Sequence, residues 1–222
     1  MKKRIAILLA AAMLLTLAAC GAGNDGAAAS DEPKSEAAEN TTQPESSVED
    51  TTEAAPSEET PEAGKVLVAY FSATGHTKTV AEQVRTAADA DLYEIVPQEP
   101  YTADDLDYNT DGCRANREQN DDSARPAIAG AVDNMDAYDV VLLGYPIWWG
   151  QAPKIVCTFL ESYDFSGKTI IPFCTSGGSG IGGSLSALQA LAPDADWLDG
   201  LRFRSGADAV EVEDWVSGLN IQ

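Results

Sequence analysis

The sequence predicts an α/β domain over residues 65–222: a parallel sheet with helices on both faces, forming three layers. Two observations carry that expectation. Short apolar runs rich in β-branched and aromatic residues recur along this stretch, as expected of strands buried on both faces. Segments of helical length and periodicity stand between most of them, and strands joined by helices pair in parallel.

Lys65–Phe71 (KVLVAYF) is the first strand. After a polar turn, residues 77–88 place Val80, Ala81, Val84, Ala87 and Ala88 on one helical face. Residues 92–96 form the second strand and 139–145 (DVVLLGY) the third, followed by a helix marked by Ile155, Val156, Phe159 and Leu160. Residues 169–174 are the fourth strand, 185–191 a helix, 198–203 a weaker fifth strand, and 209–219 a last helix carrying Val210, Val212 and Trp215.

Two further segments precede the domain. Residues 1–20 have a basic start (Lys2, Lys3, Arg4), an apolar run from Ile5 to Leu17 broken only by Thr16, and the ending Leu17-Ala18-Ala19-Cys20. That is the layout of a secretory signal, too short to cross a bilayer as an anchor. Its last four residues resemble the lipobox of bacterial lipoproteins, a resemblance that implies cleavage before Cys20 and diacylation of its thiol. The expected location is then outside the cytoplasm, with the membrane reached only through the lipid. Residues 21–64 hold 12 acids against Lys34 alone, no aromatic residue, and Val48 as the one large aliphatic. Such a segment buries too little apolar surface to offset its ordering entropy and reads as an acidic, disordered linker.

The whole chain has 36 Asp and Glu against 14 Lys and Arg, a formal net charge of -22 and a sequence pI near 4.1. A field of this sign repels a phosphate backbone and excludes nucleic acid as a partner. Within residues 65–222 the balance is 24 acids to 10 bases.

In open parallel sheets, ligands bind beyond the carboxyl ends of the strands. The loops after the first, third and fourth strands therefore belong together. Ser72-Ala73-Thr74-Gly75-His76-Thr77 runs from a strand end into a helix start, where free N–H groups and the helix dipole favour an anion. It lacks the Lys and the spacing of a P-loop. Tyr145-Pro146-Ile147-Trp148-Trp149-Gly150 sets two adjacent indoles after a buried strand; these should point in different directions, leaving at least one to stack on a planar ring. Thr175–Gly183 contains Gly178, Gly180 and Gly183 at a Gly-x-Gly-x-x-Gly spacing. It lies in the wrong place for a Rossmann site, since no acid closes the next strand; a turn that admits a ring close to the backbone accounts for it better.

Taken together, Ser72-x-Thr74-Gly75-x-Thr77, Tyr145–Gly150 and Phe173–Ser179 resemble the phosphate and isoalloxazine loops of the flavodoxin family. The resemblance implies a doubly wound five-stranded sheet in the order 2-1-3-4-5, non-covalent FMN, and electron transfer at the flavin. Carried over, Ser72, Thr74, Gly75, His76 and Thr77 bind phosphate; Pro146, Trp148, Trp149 and Gly150 hold the ring; Ser176, Gly177 and Gly178 meet its other edge. Short flavodoxins place a Tyr in the last loop, and here that loop has no aromatic residue, which leaves one flavin face open.

Residues 97–126 are long for a strand-to-helix connection, and long loops in compact domains are often functional lids; Arg114, Arg117 and Arg125 could reach an anionic donor such as NAD(P)H, but pairing with Asp121, Asp122 and Glu118 is the simpler expectation. Cys113, Cys157 and Cys174 have no metal-ligand spacing. Three functions stay open: an electron carrier serving a redox partner protein, an FMN-dependent reductase acting on a small electron acceptor such as a quinone, and a binding module that keeps the fold without redox chemistry.

Overall fold

A computed structural model describes residues 64–221. The expected signal, lipobox Cys20 and linker fall on residues outside this range, apart from Gly64. The elements in chain order are β1 (Val66–Tyr70), α1 (His76–Ala88), β2 (Asp91–Glu94), β3 (Val96–Pro97), α2 (Arg114–Gln119), β4 (Ile128–Ala129), β5 (Val140–Pro146), α3 (Lys154–Glu161), β6 (Thr169–Thr175), α4 (Gly182–Gln189), β7 (Asp196–Trp197), β8 (Leu201–Phe203) and α5 (Ala209–Ser217).

The main sheet runs β2-β1-β5-β6-β7, with β8 also on β6, and every pairing in it is parallel. Counting β7 and β8 as one interrupted edge strand, this is the expected order 2-1-3-4-5. Alternation along β1 explains the layers, because successive side chains of a strand face opposite ways. Leu67, Ala69 and Phe71 enter a core shared with Ile155, Phe159 and Leu160 of α3 and Leu188 of α4. Val66, Val68 and Tyr70 enter a second core with Val80 and Val84 of α1 and Val212 and Val216 of α5. Helix α5 starts on a side-chain cap, with Asp208 accepting from the Glu211 N–H at 2.9 Å.

The weak fifth strand is broken for a reason written in β6. Ile170 pairs with Trp197 and Phe173 with Leu201, so β6 spends three steps where its neighbour spends four. The extra residue is a bulge. It lies against Pro172, which has no N–H to donate on the side where the Ile170 carbonyl accepts from Leu198 at 3.0 Å. Gly200 answers this contact: a Cβ there would lie 2.2 Å from the Pro172 carbonyl oxygen.

The segment expected to be one long connection has internal structure. Its two ends pair as β3 and β4, Val96 with Ala129 and Pro97 with Ile128, in an antiparallel ribbon. Between them α2 and a short 3-10 turn (Asp104–Leu106) pack back on the domain. Tyr101 docks edge-on against Phe71 and Trp148, ring centroids 5.8 and 5.3 Å apart.

Candidate functional site

The three loops singled out in the sequence follow β1, β5 and β6, which are neighbours in the sheet: Tyr70 pairs with Gly144, and Pro146 with Thr175. From β1 the chain turns to β2 on one side and later to β5 on the other, so the strand order reverses beside these loops. One edge of the sheet thus gathers all three.

At the first loop Gly75 has φ +87, and no other residue type takes that conformation without strain. It turns the chain into α1 and lets its N–H donate to Ser72 Oγ at 3.1 Å. Thr74, Gly75 and His76 are exposed, and among the described residues the N–H groups of Thr74, His76 and Thr77 have no hydrogen-bond partner. Unpaired donors at the start of a 13-residue helix form an anion site with no basic side chain. The nearby Lys78 is engaged by Glu94 at 3.3 Å. Thr77 differs from its neighbours. It is buried, and its hydroxyl shares a 2.8 Å hydrogen bond with that of Thr175, fastening the first loop to the end of β6. One proton of this hydroxyl pair is spent between them, and the other is left to donate.

The second loop separates the two indoles. Trp148 is 4% exposed and meets Phe71 edge-on at 5.5 Å; its side chain belongs to the core and only its backbone faces the turn. Trp149 is 43% exposed. Trp148 and Gln151 exchange two backbone hydrogen bonds of 2.9 Å, while Trp149 (φ +47) and Gly150 (φ +80) form the centre of the turn. Two positive φ values in succession mark a tight primed turn. For a bulky residue such as Trp149, that conformation persists only because its surroundings impose it. Gln119 of α2 supplies part of that constraint by donating to the carbonyls of Trp148 (3.1 Å) and Ala152 (3.2 Å).

At the third loop Ser176 is half-buried, while Gly177, Gly178 and Gly180 are exposed with open space where a Cβ would be. Gly183 has another purpose: a Cβ there would lie 2.9 Å from the Gly150 carbonyl, so this glycine allows α4 to sit against the tryptophan turn. Tyr145, fully buried, reinforces the same joint. Ser184 Oγ donates to the Ile181 carbonyl at 2.7 Å, so the Tyr145 hydroxyl donates to Ser184 Oγ at 2.9 Å; burial pushes the phenol pKa well above its usual value.

Sequence reasoning missed Tyr108. It is 59% exposed, on the segment between β3 and β4, and its ring centroid lies 4.7 Å from that of Trp149. A Tyr in a polar stretch carries no signal of where it lands; only the folding back of α2 places it here. The arginines of that segment are mostly engaged. Arg114 bonds Glu118 at 2.7 Å and covers the Tyr101 ring at 4.2 Å, while Tyr101 makes a short hydrogen bond to Glu118. Arg117 donates to the Gly112 carbonyl. Arg125 makes a two-pronged pair with Glu161 of α3, at 2.6 and 2.7 Å, and not with the adjacent acids expected; the planar fork selects a carboxylate it can meet with two bonds.

A broad depression at the opposite end of the sheet, lined by Gly64, Lys65, Val66, Ala88, Asp89, Asp91 and Ile221, gathers none of this chemistry. The thiols also stand apart. Cys113, Cys157 and Cys174 are buried and free, and burial raises the Cys157 thiol pKa and pushes that of Cys174 up to about 12. Mass spectrometry after alkylation at pH 8 should find these three unmodified in the native protein and fully modified after unfolding.

The doubly wound sheet, an anion-accepting helix start, an exposed indole and an open glycine loop on one edge define an α/β protein of the class that holds a phosphate-bearing planar cofactor. The chain belongs to the flavodoxin family: the family described as Flavodoxin matches residues 65–219. No curated protein matches it. Among solved structures, a provisionally assigned flavoprotein from Bacteroides eggerthii DSM 20697 is 45% identical, covering 72% of this chain and 99% of its own, with a TM-score of 0.67. A similarly assigned protein from Bacteroides uniformis ATCC 8492 is 44% identical, covering 70% and 99%, also at 0.67. A flavoprotein in complex with FMN from Lactobacillus acidophilus NCFM is 27% identical, covering 69% and 99%, at 0.53.

Proposed function

We propose that this chain is an FMN-binding electron-transfer protein, tethered by a lipid on Cys20 outside the cytoplasm. The observation that carries the reading is the set of unpaired N–H donors at the start of α1, beside an exposed Trp149 and an open glycine loop on the same sheet edge. Family membership and the FMN complex of the Lactobacillus relative support FMN as the occupant.

In this reading Ser72, Thr74, Gly75, His76 and Thr77 hold the phosphate through backbone N–H groups and hydroxyls. Trp149 stacks on the ring, with Pro146, Trp148 and Gly150 offering backbone at its edge, and Ser176, Gly177 and Gly178 border the other edge. The flavin supplies the redox chemistry; the protein's residues bind it, orient it and shield it. Attachment precedes β1 and therefore enters the domain at the amino edge of the sheet, whereas the cofactor loops lie at the carboxyl edge.

The open glycine loop favours a second reading, an FMN-dependent reductase in which a small acceptor such as a quinone reaches the ring directly. Titration of the full chain with FMN, followed by absorbance and flavin fluorescence, tests the common part. Saturable binding is expected, weakened up to about tenfold by Trp149→Ala through loss of stacking; a chain that leaves flavin fluorescence unchanged overturns the proposal. Sustained oxidation of NAD(P)H with quinone would select the reductase, and its absence the carrier. Loss of acyl labelling in Cys20→Ser tests the anchor.

A further inference from the structure

Arg202 is an exception in a domain dominated by acids. Residues 65–222 carry 24 carboxylates, yet among the described residues none lies within 4 Å of this half-buried guanidinium. Its recorded partner is the Ser176 carbonyl, at 3.1 Å from Nη1. Arg202 sits in β8 opposite Cys174 of β6. Its neighbours Leu201 and Phe203 face the α1 and α5 core, so Arg202 faces the other way, beneath the glycine loop that leads into α4.

That single hydrogen bond has a directional consequence. In a trans peptide the carbonyl and the following N–H point in opposite directions. With the Ser176 carbonyl held toward β8, the Gly177 N–H faces away from it. Gly177 is exposed, open space surrounds the position of a Cβ, and its N–H has no partner among the described residues. The Ser176 N–H is held as well, by the Phe203 carbonyl at 3.1 Å. Ser176 is thus held to β8 through its N–H and, by way of Arg202, its carbonyl, with the Gly177 N–H presented outward.

We propose that Arg202 is a positioning residue for the cofactor: it locks the Ser176–Gly177 peptide so that the Gly177 N–H meets the flavin ring edge, and its uncompensated charge favours the reduced flavin. This rests on the FMN reading given above. Reduction by two electrons and one proton adds one negative charge to the ring, and a nearby cation with no carboxylate partner favours the more anionic form. Arg202 works against the acidic field of the domain at the one edge where that field would most oppose reduction.

The test uses the full-length chain, wild type and with Arg202→Gln or Arg202→Lys, each loaded with FMN and titrated with dithionite against a reference dye. The expected result for Arg202→Gln is about a tenfold fall in the ratio of reduced to oxidised FMN affinity, which for a two-electron couple is about 30 mV downward. Arg202→Lys keeps the charge and should recover most of that loss, a rescue that a purely structural role would not give. Coincident potentials for wild type and Arg202→Gln, with FMN bound to both, overturn the proposal while leaving the FMN reading intact. A wild-type chain without FMN binding overturns both. Should Arg202→Gln fail to fold, the 15N-labelled wild-type protein decides: the Gly177 amide is expected to shift and gain protection from exchange on adding oxidised FMN, and an unaffected Gly177 overturns the proposal.

Discussion

Phe71→Ala should lower the unfolding free energy by about 3–5 kcal/mol, the usual cost of emptying a buried aromatic site. Phe71 is 1% exposed and immediately precedes the phosphate loop. Its ring meets Trp148 and Tyr101 edge-on, and those two meet each other at 5.3 Å. The three rings join β1, the tryptophan turn and the segment between β3 and β4. Each such contact adds about 0.5–1.5 kcal/mol beyond area burial, so the cavity would weaken three elements together. Urea unfolding followed by tryptophan fluorescence measures it. A loss below about 1 kcal/mol would mean that the rings repack and that the junction is not the fixed support described here.

Thr77→Val keeps the shape of the buried side chain and removes its hydroxyl. The Thr175 hydroxyl, 4% exposed as a residue, then loses its 2.8 Å partner, and an unsatisfied buried polar group costs about 1–3 kcal/mol. The phosphate loop also loses its attachment to β6 and one hydroxyl donor. FMN affinity is expected to fall by more than tenfold, with a parallel loss of stability. Thr77→Ser, which keeps the hydroxyl, should retain most of both. Calorimetric titration of the three proteins checks this; equal affinities would remove Thr77 from the phosphate site.

How legible the molecule is from its sequence depends on the range of the interactions involved. Strands β1, β5 and β6 announce themselves because burial on both faces demands uninterrupted apolar side chains, and their ends mark where the loops begin. The glycines and hydroxyls of those loops are equally readable, since their conformations are local. By contrast, the interruption of the fifth strand depends on Pro172 in a different strand; Gly200 hints at a break, but only the pairing with β6 shows what it accommodates. Adjacent indoles at 148 and 149 imply opposite directions, but which one is buried follows from Phe71 and Tyr101, far away in sequence. The choice of Glu161 by Arg125, the landing of Tyr108 beside Trp149, and the contact of Arg202 with Ser176 are all settled by topology. Gly183 is a further case: it belongs to a glycine run whose spacing suggests a ligand, yet it serves the contact of α4 with the tryptophan turn.

The short ribbon that pairs Val96 with Ala129 and Pro97 with Ile128 lets the intervening stretch leave and rejoin the scaffold at one place. Because both ends leave the scaffold side by side, its length is nearly independent of the sheet, and lengthening such a stretch costs only logarithmically in closure entropy. What it carries is of two kinds: Tyr101, Cys113 and Ala115 pack into the core, whereas Tyr108 stands exposed beside the tryptophan turn. Change in length or sequence is therefore cheapest around Tyr108, between the anchors at Tyr101 and Ala115 that hold the stretch to the sheet.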